Sequence, residues 1–143
     1  MPDVYAIPEA MDDTSPNTSQ LILLAHGSRD PNWCQTFEAG QGLVNDYLDH
    51  KAGLAYMEMA APSLEELVGE YYQQGKKDIQ VLPLFFAAGR HLLVDVPQMM
   101  DDLRRQYVGL RLDLLDPVGH HPAFWHHLGS MIARQTMNQD SPS

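Results

Sequence analysis

The chain has 143 residues, 44% hydrophobic and 20% charged, which is stock for one domain with a real core and no staples. Nine basic against 19 acidic side chains leave a net charge of −10, which excludes the basic footprint of a nucleic-acid binder. The single cysteine, Cys34, excludes an internal disulfide, no apolar run approaches the roughly 18 residues of a membrane span, and no Lys or Arg precedes Arg29 to start a signal peptide.

The expectation is therefore a soluble, cytoplasmic domain with neither nucleic-acid nor membrane partners. Residues 1–18, "MPDVYAIPEAMDDTSPNT", contain Pro2, Pro8 and Pro16 and no apolar period, and read as a disordered or extended tail. "QLILLA" (20–25) predicts a strand buried on both faces. In "CQTFEAGQGLVNDYLDH" (34–50), Phe37, Leu43, Val44, Tyr47 and Leu48 fall at helical spacing, which Gly40 and Gly42 weaken. Cys34 opens that helix and has no partner that would make it catalytic. "LAYMEMA" (54–60) predicts the second strand. "PSLEELVGEYYQQG" (62–75) predicts a helix with Pro62 at its start, Glu65 and Glu66 in its first turn and Gly75 at its end.

"DIQVLPLFF" (78–86) reads as a third strand despite Pro83. "DVPQMMDDLRRQY" (95–107) follows as a helix with Pro97 in its first turn. "LRLDLL" (110–115) is the fourth strand and "PAFWHHLGSMIARQ" (122–135) the last helix, before a short tail at 138–143. Strand and helix alternate four times across 19–137. That pattern predicts a single three-layer α/β/α domain around a four-stranded parallel sheet, with strand order left open.

Ligands in such a sheet bind outside the carboxyl ends of the strands. His26, Gly27, Ser28 and Arg29 follow the first strand, and Glu58 stands near the end of the second. Gly89, Arg90 and His91 follow the third, and Asp116, His120 and His121 the fourth. Two imidazoles and a carboxylate with open positions suit a first-row divalent metal. The same histidines also read as packed structural residues, Glu58 as an edge residue facing solvent, and Arg29 and Arg90 as solvated loop cations. The cluster His120, His121, His126 and His127 invites a second metal site. Its plainer reading has His121 lining a cleft and the others on the surface.

"LLAHGSRDP", "YMEMAAPSLEE", "VLPLFFAAGRHLLVDVP" and "GHHP", in that order, resemble the short CbiX family of sirohydrochlorin chelatases, within the class II chelatase superfamily. The resemblance runs from about residue 20 to 135. It implies ATP-independent insertion of Co²⁺ or Fe²⁺, sometimes Ni²⁺, into a sirohydrochlorin-type tetrapyrrole of cobalamin or sirohaem synthesis, with no organic cofactor. By the motif match it implies His26 and His91 as metal-binding imidazoles and Glu58 as their acidic partner at the metal. Short members resemble half of a two-lobed chelatase, so it further implies a homodimer with the tetrapyrrole in its cleft.

Insertion exchanges two pyrrole protons for one ion, and imidazole, with a reference pKa of about 6.5, can bind metal or take a proton near neutrality. The substrate's carboxylates meet an acidic protein. Arg29 and Arg90, with Ser28, His121 and the Gly27–Ser28 amides, are the groups expected to hold them. Two other readings use the same residues. A histidine phosphatase would place Arg where Ala25 stands, and Ala25 cannot clamp a phosphate. A metal or tetrapyrrole carrier would bind without turnover.

Overall fold

The computed structural model describes residues 19–140. The expected tail at 1–18 lies outside them, as do residues 141–143. One parallel sheet runs through the domain in the order β2-β1-β3-β4, built from β1 (Gln20–Ala25), β2 (Gly53–Tyr56), β3 (Asp78–Pro83) and β4 (Arg111–Leu114). The helices are α1 (Pro31–Asn45), α2 (Leu64–Gln73), α3 (Val96–Gln106) and α4 (Pro122–Asp140). A π turn, His91–Asp95, leads into α3, and a 3-10 turn, Val118–His120, leads into α4. The expected α/β class and parallel four-stranded sheet are what the chain forms. Among the described residues no helix is long and apolar enough to cross a membrane.

The two-sided burial expected of β1 follows from its central position. Ile22 and Leu24 point into one core with Leu67 and Val68 of α2 and Val96 and Met100 of α3. Leu23 and Ala25 point the other way, among Leu54 and Tyr56 and the half-buried Cys34 and Phe37 of α1. There burial, reinforced by Cys34 and Glu38, pushes the Tyr56 hydroxyl up to about 12, so it stays neutral and donates to the Cys34 carbonyl at 3.4 Å. β4 is an edge strand in which exposed Arg111 and Asp113 alternate with inward Leu112.

Several boundaries differ from the sequence expectation, each for a local reason. The first helix starts three residues earlier than Cys34 because Asp30 caps it, accepting the Asn32 N–H at 2.9 Å, with Pro31 in the first position. It also stops at Asn45. α2 starts after Pro62, because Ser63 and Glu66 close a capping box, and ends before Gly75, whose φ of +86° needs glycine. β2 stops at Tyr56, where the chain turns back through Met59 (φ +63°), so Met57–Ala60 form a loop rather than strand. β3 ends at Pro83, which leaves Leu84–Phe86 free of the strand. α4 continues past 135 to Asp140, into the segment expected as a tail.

The two helical layers are unequal. α2 and α3 bury full apolar faces, whereas among the described residues neither α1 nor α4 contains a buried residue. Leu43 and Val44 of α1 and Trp125 and Ile132 of α4 stand exposed.

Candidate functional site

β1 pairs with β2 on one side and β3 on the other, so the crevice at the carboxyl ends of β1 and β3 is where the chain changes direction across the sheet. His26 leaves β1 directly into that crevice, and the segment after β3 delivers Arg90 and His91 beside it. Two histidines distant in sequence thus become neighbours, with ring centres 6.0 Å apart and planes at 71°.

Each ring is fixed from behind. His26 lies flat on Phe85, with centres 4.4 Å apart and planes at 17°. Its Nδ1 is 3.4 Å from Glu58 Oε1, at the long end of hydrogen bonding, while Glu58 Oε2 accepts the Gly27 N–H at 3.0 Å. That contact explains the glycine after the histidine. A Cβ on Gly27 would stand 1.7 Å from the Glu58 carbonyl oxygen, so only glycine lets the β2–α2 loop approach. His91 Nδ1 is 2.9 Å from Asp95 Oδ2, four residues on and at the far end of the π turn. With both Nδ1 atoms occupied by carboxylates, the Nε2 atoms carry no hydrogen bond among the described residues and remain available to a ligand. The His26 and His91 side chains are 45% and 59% exposed, accessible to an incoming ion.

Glu58 was expected near the end of the second strand. It lies instead in the loop after β2 with its side chain 40% exposed, so its charge carries no burial cost. Among the described residues, no three His, Cys, Asp or Glu side chains converge as a metal cage. His26, His91 and Glu58 do not form one: Glu58 stands on the Nδ1 side of His26.

Both imidazoles line a cleft of about 660 Å³, a size that accommodates an organic ligand. Arg90 lines it with them. Arg29 is exposed and outside the lining. The Ser28 hydroxyl accepts the Asp30 N–H at 3.0 Å and so shapes the entry to α1. His121 is half-buried at the start of α4, its N–H on the Val118 carbonyl at 3.1 Å, also outside the lining. His120, His126 and His127 lie on the surface.

Sequence reading did not assign roles to Asp95 or to the aromatic wall of Trp33, Phe37, Phe85, Phe86 and Phe124. Asp95 was legible as an acid four residues after a candidate ligand histidine, which in helical geometry puts the two in contact. Phe85 and Phe86 were hidden by reading β3 as running to residue 86.

The CbiX family model matches residues 20–135 of this chain. A CbiX protein of cobalamin (vitamin B12) biosynthesis from Marinobacter aquaeolei VT8 superposes on 86% of the chain and 98% of its own length, with TM-score 0.78 and 36% identity. A sirohydrochlorin cobaltochelatase from Saccharolobus islandicus is 28% identical over 121 residues, which cover 80% of this chain and 91% of that protein. SirB from Bacillus subtilis, solved with Fe³⁺, shares the fold at TM-score 0.73 and 18% identity. The match takes in 87% of this chain but only 48% of SirB, so the chain spans about half of that molecule.

Proposed function

The chain belongs to the CbiX family, and from that premise we propose that it inserts a divalent metal, Co²⁺ or Fe²⁺ and also Ni²⁺, into sirohydrochlorin without ATP or an organic cofactor. The observation that carries this reading is the pair of imidazoles in the segments that follow two adjacent central strands, each with a carboxylate at Nδ1 and both lining one cleft. With metal–imidazole bonds of about 2.1 Å, one ion can reach two rings 6.0 Å apart.

The ion is a substrate, so it must be held firmly enough to lose water and loosely enough to leave. Two imidazoles without a third protein ligand meet that requirement, since the remaining positions are open to water and then to pyrrole nitrogens. Glu58 and Asp95 act behind the rings, fixing their orientation through Nδ1. As each metal–imidazole bond gives way to a metal–pyrrole bond, two pyrrole protons depart, and the freed Nε2 atoms are the nearest bases in the cleft. The macrocycle's apolar faces suit the aromatic wall, and its peripheral carboxylates suit the Arg90 guanidinium at the mouth.

A homodimer completes this arrangement. Two features support it: the chain spans half of the SirB molecule with one copy of each motif, and α1 and α4 leave apolar side chains exposed. Analytical ultracentrifugation is expected to give twice the chain mass at micromolar concentration, and a monomer there would remove the dimer.

The reaction itself is read from anaerobic absorbance of sirohydrochlorin with Co²⁺ or Fe²⁺ and catalytic protein. Many equivalents of metallated product per chain are expected. Saturation at one equivalent would leave a carrier, and no acceleration over the protein-free rate would end the enzyme reading.

A further inference from the structure

The aromatic side of the cleft has a structure of its own, and Trp33 is its best-defined member. Trp33 stands in the first turn of α1, where the Asp30 cap sets its backbone, its N–H reaching the Asp30 carbonyl at 3.1 Å. The indole N–H donates to the carbonyl of His26 at 2.7 Å, and the ring leans on Phe37 with centres 5.5 Å apart. Its one polar atom is therefore satisfied inward, against the backbone of a metal-site residue. What remains, with the residue 43% exposed, is flat apolar surface on a cleft that also contains exposed Phe86. Such surface left to water is unfavourable unless a ligand covers it, and a flat conjugated ring covers it best.

We propose that Trp33 stacks on the tetrapyrrole and registers the macrocycle over the metal site. The bond that fixes the indole ends on His26 itself, so the position of the stacked ring and the position of the imidazole are set by one backbone group. Trp33 is in this view a substrate-contact and positioning residue, distinct from the imidazoles that hold the ion. The inference rests on the sirohydrochlorin reading above.

Three measurements on Trp33→Ala and Trp33→Phe test it: sirohydrochlorin affinity by absorbance titration without metal, steady-state KM and kcat, and Co²⁺ affinity without tetrapyrrole. Trp33→Ala is expected to weaken sirohydrochlorin binding and raise KM about tenfold, the scale of one lost aromatic contact. Co²⁺ affinity should stay within about twofold, since ions bind through the imidazoles. Trp33→Phe, which keeps a flat ring but no N–H, should recover most of the binding. Normal sirohydrochlorin affinity in Trp33→Ala would overturn the proposal. So would a loss of Co²⁺ affinity equal to the loss of tetrapyrrole affinity, because Trp33 would then act only by holding His26. A monomeric Trp33→Ala protein would instead assign the indole to the dimer surface and overturn it as well. If wild-type protein fails to metallate sirohydrochlorin, the function is at fault; if it metallates and Trp33→Ala binds normally, only this inference is.

Discussion

His91→Ala is expected to bring metal insertion down to the rate of free ion with free macrocycle while leaving the fold intact. The side chain is 59% exposed and makes one hydrogen bond, to Asp95, so its removal opens no cavity. The ion then has one imidazole, His26, and nothing else in the cleft that ligates at neutral pH. Asp95→Ala removes the group behind the ring instead, and partners of that kind are worth about 10- to 100-fold in affinity or activity. A ranking of wild type, then Asp95→Ala, then His91→Ala is the expected order in the anaerobic absorbance assay. His91→Ala retaining more than about a tenth of wild-type turnover would show that the imidazole pair is not the metal site, since losing a ligand must cost more than losing its partner. The same assay on His26→Ala should match His91→Ala, because neither ring alone offers two bonds.

Gly27→Ala should damage stability and site together. The new Cβ would meet the Glu58 carbonyl oxygen at 1.7 Å and the Ala60 amide nitrogen at 3.2 Å, both backbone, so no rotamer relieves the clash. The loop after β2 must retreat. That strains the β1 exit and pulls Glu58 away from the Gly27 N–H and from His26. Overpacking of this kind costs about 1–3 kcal/mol and occasionally more, readable as a lower urea midpoint. Co²⁺ affinity should fall with it, through misplacement of His26. Gly40→Ala is the control: a Cβ there meets nothing within 4 Å, and alanine in a helix interior should stabilise by about 0.5–1 kcal/mol. Gly27→Ala with unchanged midpoint would mean that the loop is free to move and that Glu58 is not held by its approach.

The chain's local chemistry was enough to determine several things. Strands of β-branched and aliphatic residues alternating with capped helices specify a parallel α/β sheet, because only crossover helices connect parallel strands. The continuous apolar run of β1 marks a strand covered on both faces of the sheet, because alternation is lost where both faces are buried, and Ile22 to Ala25 are buried. His26 before Gly27 at the end of that strand, and His91 in the segment that follows β3, were legible as rim residues because ligands meet such a sheet beyond the carboxyl ends of its strands.

What the tertiary structure alone decided is who stands beside whom. The order β2-β1-β3-β4 makes β1 and β3 neighbours, so the segments after them bring the two histidines together, and no local pattern encodes that order, because it is fixed by helix packing on both faces. Glu58 shows the limit most clearly. Within "LAYMEMA" it reads as a strand residue, yet the chain leaves the sheet at Tyr56 and the acid reaches His26 from a loop. The clearance that lets it do so is the missing side chain of Gly27, a contact between backbones that one-dimensional spacing cannot express. Trp33 was visible as an aromatic residue in a helix, but its meaning lies in an indole N–H aimed at the carbonyl of His26, which exists only once β1 and α1 are folded together.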